Sequence, residues 1–394
     1  MNEIVSYILS FLLYGEQQAV RKVGYTADQE QWHQYTVIIV PNGHLGKEIV
    51  LPDLSTPRIE LIPSNDPTNK KKRYIIHTDI VYNTFFFISR AEELINSQRD
   101  EHGRFLAEYS LLGKNNRLLI PSVDEYGRTL LKLLECPLPA PAAQQIYLTH
   151  DVDSIDQYRH LRGFVGGIVR KQYKAVIRAC QSIENDPAYT FPWLMSQDAQ
   201  VPQAKAVYFI KDTKGKGYDY PQYNLKGKDC QHLIQTLQHS QALIGLHSSY
   251  YGITQNPKSK IHNSLHRSHY LRCSIDQMQR LAEHGITDDF TMMFPDHVGF
   301  RLQTCRPVRW INPKTMQLTS LLLHPLTIMD CTLSNHQYMN LNEDEAYFTC
   351  EQLFDKCIAN NGEIVLLWHN TNPTNNPYHR SLYNKLIQLL KNLL

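Results

Sequence analysis

Short apolar runs alternate with helical patterns from residue 146 to the end of the chain. The runs are QIYLT, KAVYFI, ALIGLH and EIVLLWH, and segments between them, such as SIDQMQRLAEHG, carry apolar residues at helical spacing. Strand–helix alternation over roughly 250 residues is typical of a parallel α/β sheet or barrel. The pattern therefore predicts an α/β domain over residues 146–394.

A proline-rich segment precedes this domain. Its sequence, CPLPAPAA over residues 136–143, holds three prolines that can neither continue a helix nor join a central strand. A chain of 394 residues is also long enough for two domains. We predict a smaller α/β N-terminal domain over residues 1–135, a linker over 136–145 and the larger domain after it.

Composition argues against several functional classes. Forty Lys and Arg residues against 38 Asp and Glu give a net charge of +2, which offers no reason to expect nucleic acid or an anionic membrane as the main partner. The cysteines form no CxxC pair, so reduced thiols in a cytoplasmic protein are expected. Glu3 stands where a signal peptide needs basic residues, and no run reaches about 18 apolar residues. Neither a signal peptide nor a membrane span is predicted.

Ionisable side chains begin where the apolar runs end. QIYLT leads into Asp151 and Asp153, ALIGL into His247, and EIVLL into His369. Parallel α/β folds place active sites at this end of their strands. Carboxylates and imidazoles together are the ligands of a catalytic zinc with an open position. Taken singly, the aspartates could equally cap a helix, and each histidine could be a satisfied polar residue.

These motifs resemble those of a known family. THDVD, GLHSS, GFR and LWH occur in the order of the polysaccharide deacetylase family, carbohydrate esterase family 4. The chain is most similar to a Bacteroidetes-type branch with an extra N-terminal domain, in which HDVD, IGLHxSY, RxHYLR, GFR…TCRP, MDxTL and LWHN recur. The resemblance runs from about residue 75 to the C-terminus.

The resemblance implies a fold, a reaction and roles for particular residues. The fold is a distorted (β/α)7 barrel, and the reaction is metal-assisted hydrolysis of an N- or O-acetyl group on a sugar. Asp151 would be the general base that takes a proton from the metal-bound water, and Asp153 and His247 would be metal ligands. His369 would be the general acid that protonates the leaving amine.

The resemblance implies two further roles. Arg301 would pair with Asp151, because an adjacent guanidinium favours the ionised carboxylate. Asp330, in IMDCTL, would orient or charge-stabilise His369, a role that the family gives to an aspartate in that order.

One ligand departs from the family pattern. The usual second histidine lies four residues after the first, where this chain has Tyr251, and a phenol with a pKa of about 10 is a poor zinc ligand. His269, in RSHYLR, is predicted to complete the site. His262 and His266 are less attractive, because their surroundings resemble an exposed polar segment. A site without metal stays open as an alternative.

Two surface features complete the prediction. Tyr218, Tyr220 and Tyr251 are predicted to bind substrate, because aromatic rings stack on sugar faces, although tyrosines also fill loop packing. The segment RHLRGFVGGIVRKQYKAVIRAC carries six basic residues. A solvated face is expected there, with a surface for an acidic or lipid-linked substrate as the alternative.

The favoured hypothesis is a cytoplasmic hydrolase that uses a divalent metal, zinc in the first place. It would remove an acetyl group from an N-acetylated amino sugar or a surface-glycan precursor. The alternative is a catalytically degenerate protein on the same barrel that binds glycans or acts as a scaffold. Metal content separates the two. A metal-independent amide hydrolase is a third possibility, and its activity would survive a chelator.

Overall fold

The computed structural model describes residues 3–62, 72–212, 217–220, 223–253, 264–374 and 376–393. Its strands are β1 (Val23–Tyr25), β2 (Val37–Ile39), β3 (Ile59–Ile62), β4 (Arg73–Ile76), β5 (Gln145–Val152), β6 (Ala204–Lys211), β7 (Leu243–Ser248), β8 (Leu265–Ser268), β9 (Asp288–Met292), β10 (Val308–Asn312), β11 (Gln317–Pro325), β12 (Ile328–Met329) and β13 (Glu363–Leu367). Its helices are α1 (Glu3–Leu12), α2 (Gln17–Val20), α3 (Ile80–Ile88), α4 (Glu92–Ile95), α5 (Leu111–Lys114), α6 (Ser122–Leu133), α7 (Leu161–Val169), α8 (Tyr173–Gln181), α9 (Phe191–Asp198), α10 (Lys228–His239), α11 (Ile275–Glu283), α12 (Asp330–Ser334), α13 (Glu343–Ala359) and α14 (Pro377–Leu393).

The larger sheet confirms the predicted α/β class. Its strand order is β10-β11-β9-β8-β7-β6-β5-β13-β12, and every neighbouring pair is parallel except β10 with β11. All five residues of β13 are buried, as expected for a strand inside a parallel sheet. Among the described strands this order begins at β10 and ends at β12. The sheet is therefore not closed, and the predicted barrel is not confirmed.

The order of the strands determines which chain segments meet. Because β8, β7, β6, β5 and β13 are successive parallel neighbours, their carboxyl ends lie along one edge of the sheet. The predicted metal ligands and His369 lie at or just after these strand ends. This edge is where open parallel sheets bind their ligands.

The N-terminal residues form a smaller sheet in the order β1-β2-β4-β3, with β3 antiparallel to β4. Helix α3 is buried along its whole length, and Asp79 caps it by accepting a hydrogen bond from the backbone N–H of Tyr82 at 2.8 Å. The apolar core around α3 continues to Met278 of α11 and to Trp310 and Leu323 of the larger sheet. Residues 136–144 contain neither helix nor strand, and the division into two domains stays a prediction.

No helix in the described parts of the chain combines the length and the apolar character that a membrane crossing needs.

A buried histidine connects three strands of the larger sheet. His324 of β11 places Nδ1 2.7 Å from Glu363 Oε2 of β13 and Nε2 3.0 Å from Asp288 Oδ1 of β9. Burial disfavours the imidazolium, but the two carboxylates outweigh burial and raise the pKa of His324 to about 9. At neutral pH the charged ring therefore links both carboxylates.

We expect the free energy of unfolding to fall as pH rises from about 6.5 through about 9 because of this group. A raised pKa in the folded state stabilises the protein below the unfolded pKa, and the stabilisation is lost above the folded one. The predicted loss is on the order of 3 kcal/mol, measured by urea unfolding at neutral and alkaline pH. His324→Asn should remove this part of the pH dependence, and the exposed control His284→Asn should keep it. Equal pH dependence in both variants would contradict the assignment.

Candidate active site

The structure brings the three predicted metal ligands together. Asp153 directly follows β5, His247 belongs to β7, and His269 directly follows β8. Asp153 Oδ1 lies 3.6 Å from His247 Nε2 and 3.3 Å from His269 Nε2. One potential ligand atom from each residue lies within 4.8 Å of the other two.

Hydrogen bonds fix both imidazole rings. His247 Nδ1 lies 3.1 Å from the backbone oxygen of Arg267, and His269 Nδ1 lies 2.9 Å from Asp219 Oδ1. Because a carbonyl or a carboxylate oxygen only accepts, each Nδ1 carries a hydrogen and donates. In the neutral rings the lone pair is then on Nε2, which faces Asp153. Such outer contacts are typical of metal-binding histidines.

The polar atoms of this cluster fit a divalent cation. Asp153 Oδ1 and His247 Nε2 are buried without a hydrogen-bond partner. Two buried acceptors that face each other without a hydrogen between them are unfavourable, and a cation between them removes the conflict. One carboxylate and two imidazoles also match the donor set of a catalytic zinc site with an open position.

Charge within the cluster is consistent with this fit. Burial lowers the pKa of His247 and so favours the neutral ring that binds metal. Burial works in the other direction on Asp153, but the imidazoles of His247 and His269 beside it hold the pKa of its carboxyl well below the usual value. For His269, Asp153 and Asp219 outweigh burial and raise the pKa, so a proton would compete with a metal at this ligand.

Asp151 lies beside the cluster but pairs with a different arginine from the one predicted. Its Oδ1 lies 3.0 Å from Arg267 Nη1, and its Oδ2 lies 3.6 Å from His247 Nε2. Arg267 belongs to β8, is fully buried, and also donates to Thr149 Oγ1 at 2.8 Å and to the backbone oxygen of Phe290 at 3.0 Å. Sequence reasoning noticed Arg267 only as a neighbour of His269.

The predicted pair of Arg301 with Asp151 is wrong. Arg301 Nη2 lies 2.6 Å from Glu93 Oε1, and Nη1 donates to the backbone oxygen of Met293 at 2.9 Å. The physical reason is position. Arg301 follows β9 and contacts Glu93 of α4, whereas Arg267 lies in β8, opposite His247 of β7 and two residues before His269.

His369 reaches the cluster from the strand on the other side of β5. Its Nδ1 lies 2.7 Å from Asp330 Oδ1, its backbone N–H donates to Asp330 Oδ2 at 2.8 Å, and its Nε2 lies 3.9 Å from Asp153 Oδ2. Cys331 Sγ lies 3.6 Å from Nδ1. Asp330 thus holds the ring with Nε2 towards the cluster, which is the arrangement that the motif order predicts.

The charge on His369 follows from these contacts. Burial disfavours the imidazolium, but Cys331 and Asp330 outweigh it and raise the pKa of His369 well above the usual value. Burial also raises the pKa of the Cys331 thiol, which is therefore neutral near pH 7. The carboxylate of Asp330 is the group that keeps His369 protonated.

Residues 3–139 match a family of unknown function, DUF7033. None of the curated proteins matches the chain. Among solved structures, the chain is similar to one described as a "putative polysaccharide deacetylase from Mycobacterium smegmatis", with 12% sequence identity and a TM-score of 0.40. The similarity covers 64% of this chain and 88% of that chain.

The DUF7033 segment contributes to the surroundings of the site. The rings of Tyr218, Tyr250, Tyr270 and His102 form a cluster, here called the aromatic rim. Tyr218 lies 4.4 Å from Tyr250 and 5.8 Å from Tyr270, centroid to centroid, and His102 lies 5.0 Å from Tyr270. The rim adjoins the three candidate metal ligands, because the ring of Tyr270 is 4.8 Å from that of His269.

The predicted substrate tyrosines do not all lie at the aromatic rim. Tyr218 belongs to it, and Tyr251 adjoins it with its ring 5.2 Å from that of Tyr250. Tyr220 instead lies 6.0 Å from the ring of His160, with the Arg162 guanidinium over its face. Sequence reasoning missed His102, for which the sequence offers no signal.

Two further histidines and one lysine complete the comparison with the prediction. His266 is buried and not exposed, and its Nδ1 lies 2.7 Å from Asp289 Oδ1. It therefore has a structural role as the partner of Asp289. His262 lies outside the described residues. Lys211, at the end of β6, was missed; its Nζ lies 3.9 Å from Asp153 Oδ1, and burial lowers its pKa.

Proposed function

We propose that this chain is a metal-dependent hydrolase that removes an acetyl group from an N-acetylated amino sugar or a surface-glycan precursor. One observation carries the proposal: the buried, unpartnered atoms Asp153 Oδ1 and His247 Nε2 converge with His269 Nε2 at the carboxyl ends of parallel strands. Asp151 and His369 border this point from two sides. The arrangement supplies a cation site, a base and an acid in one place.

Different residues would have separate roles in hydrolysing an amide. When bound by Asp153, His247 and His269, a divalent cation would polarise the acyl carbonyl and make water a stronger nucleophile. Asp151, paired with Arg267 through its Oδ1, accepts the proton that the attacking water gives up. His369 donates its Nε2 proton to the departing amine, and Asp330 holds the ring through Nδ1. Acetate and a free amine are the products.

The sugar part of the proposal is supported by the aromatic rim. Tyr218 and Tyr270 are 46% and 37% exposed, so their faces are open to a ligand although they contact each other. Flat rings with polar tips suit the apolar face and the hydroxyls of a sugar. Because Tyr270 directly follows His269, a sugar on the rim would hold its acetyl group close to the candidate metal ligands.

Metal analysis tests the proposal directly. We expect the protein, after exposure to zinc and dialysis, to retain about one ion per chain and to release acetate from acetylated amino sugars. Asp153→Asn should reduce the metal to background, since an amide cannot replace the charge of the carboxylate. Asp156→Asn is the matched control on the same loop and should retain the ion. A protein without metal that still releases acetate would refute the metal-dependent mechanism.

A second candidate function is a catalytically degenerate protein that binds glycans. Lys211 favours it, because an ammonium group 3.9 Å from Asp153 Oδ1 is a source of positive charge other than a metal. Tyr251 favours it too, because this chain has an exposed phenol, a poor zinc ligand, where the resembled family has its second histidine. This function predicts a protein that retains no metal and releases no acetate, yet binds the same sugars.

The corrected arginine assignment gives a paired prediction. Arg267→Lys should lower turnover about 10–100-fold, because a lysine cannot reproduce the donors shared between Asp151 and Thr149. Arg301→Lys, which changes the contact with Glu93, should act on thermal stability and leave turnover per folded molecule near that of the wild type. Steady-state kinetics and thermal unfolding of both variants measure this. A larger loss of turnover in Arg301→Lys would restore Arg301 as the partner of the base.

A further inference from the structure

Helix α7 presents an apolar stripe to solvent. Its five large apolar residues follow the i, i+3, i+4, i+7, i+8 spacing that normally faces a protein core. All of them are exposed here: Leu161 by 82%, Phe164 by 41%, Val165 by 50%, Ile168 by 39% and Val169 by 74%. Scattered single apolar residues on a surface are ordinary, but a continuous stripe on one helix indicates a binding surface.

The opposite side of α7 explains why the stripe faces outward. Gly167 is buried against α8, and a Cβ at this position would lie 2.5 Å from Val176 Cγ2 and 3.0 Å from the ring of Tyr158. The helix therefore packs on its neighbour through glycine. Tyr158 forms a small separate core with Val176 and Ala179 of α8.

Helix α8 extends the exposed apolar surface. Tyr173 and Ile177, one helical turn apart, are 50% and 59% exposed. The two helices together, here called the α7–α8 hairpin, thus expose seven large apolar side chains over residues 161–177.

The hairpin is also strongly basic. Residues 157–183 contain no Asp or Glu and carry six basic residues, namely Arg159, Arg162, Arg170, Lys171, Lys174 and Arg178. Arg159 pairs with Asp229 at 2.8 Å, whereas the other five make no ion pair with a carboxylate anywhere in the described ranges. The net charge of +2 over the whole chain conceals this local excess of positive charge.

We propose that the α7–α8 hairpin attaches the protein to the surface of a membrane that contains anionic lipids. Apolar side chains flanked by Lys and Arg, without acidic residues, are the pattern of helices that lie in the membrane interface. The long Lys and Arg side chains can reach phosphate groups while the apolar stripe enters the acyl boundary. At nine residues α7 is far shorter than the roughly 20 needed to span a bilayer, so it lies along the surface.

The hairpin lies close to the candidate active site. A cleft of about 340 Å³ is lined by His160, which directly precedes α7, and by Ser154 and Thr371. Ser154 directly follows Asp153, and Thr371 lies two residues after His369. Attachment through the hairpin would therefore bring this cleft to the membrane surface. The attachment itself does not depend on the proposed activity and can be tested without it.

Vesicle flotation of the full chain tests the inference. We expect binding to phosphatidylcholine vesicles that contain about 30% phosphatidylglycerol to exceed binding to pure phosphatidylcholine at least about tenfold, and to weaken at about 1 M salt. The double variant Phe164→Ser/Val165→Ser should lose at least about tenfold of this binding with an unchanged thermal midpoint. Lys171→Gln/Lys174→Gln should reduce binding and its salt dependence.

The matched control is Phe348→Ser, which removes a ring of similar exposure, 58%, from α13 and should bind vesicles as the wild type does. Failure of the wild type to float with anionic vesicles would overturn the inference, as would equal flotation of Phe164→Ser/Val165→Ser. Self-association of the wild type without lipid, abolished in that variant and accompanied by no vesicle binding, would assign the stripe to a second copy of the chain instead.

Discussion

Replacing His369 with alanine is expected to lower turnover of an acetylated amino sugar by about 10²–10⁴-fold while the bound metal stays in place. Expulsion of an amine requires a proton, and His369 is the protonated imidazole that faces the candidate ligand Asp153. Its Nε2 lies 3.9 Å from Asp153 Oδ2, while Nδ1 is held by Asp330. Asp330→Asn should show a similar loss, because the neutral amide no longer favours the imidazolium.

The control for this prediction is His379→Ala. His379 is also buried, and its ring lies 5.9 Å from that of Trp368, the neighbour of His369. It does not belong to the group of candidate metal ligands. Turnover per folded molecule should stay near that of the wild type. Loss of metal in His369→Ala would make His369 a ligand, and full activity would remove the acid from the mechanism. Kinetics and elemental analysis of the same samples decide between these outcomes.

The second large effect concerns stability. Glu93→Gln is expected to lower the free energy of unfolding by about 3–5 kcal/mol, because it leaves two buried guanidinium groups without a counter-charge. Glu93 Oε1 lies 2.7 Å from Arg90 Nε and 2.6 Å from Arg301 Nη2. Burial opposes the ionised carboxylate, but the two arginines lower the pKa of Glu93 to about 2. The carboxylate is thus charged at every pH near neutrality.

Glu92→Gln is the matched control, one residue away. Burial raises the pKa of Glu92 to about 7, so the carboxyl is partly neutral near pH 7 and the amide changes less. Urea unfolding followed by circular dichroism measures both variants. Because the ion pair of Glu93 with Arg301 joins α4 to the segment after β9, we expect one cooperative unfolding transition. Two transitions, with only the first shifted by Glu93→Gln, would indicate independent domains on either side of residues 136–145.

The strand ends were predictable from the sequence because burial and polarity change abruptly there. Asp153 and His247 lie where apolar runs stop, and parallel strands bring such positions to one edge whatever the length of the connections between them. The choice between a closed barrel and an open sheet was not predictable in the same way. Strand–helix alternation has the same period in both.

The arginine was misassigned for a related reason. Motif order locates a residue along the chain but does not fix where its side chain lies. Along β8, His266 pairs with Asp289 on one side while Arg267 reaches Asp151 on the other, and this alternation depends on a strand only four residues long. The exposure of the α7 apolar stripe could not be predicted from the sequence either, because its spacing is also that of a core-facing helix. Only the packing of Gly167 shows which side faces the protein.

Under the proposed function, the contribution of His102 to the aromatic rim would allow substrate preference to change separately from the chemistry. The candidate reactive groups lie at strand ends of the larger sheet, where Asp153 is within 4 Å of His247, His269 and His369. His102 comes from the DUF7033 segment, and its ring meets the rim from a turn at residues 101–103. Under the proposed function, substitutions in that turn would alter which sugars are accepted without moving a metal ligand. Preference for a substrate can then diverge between related proteins while the chemistry stays constant.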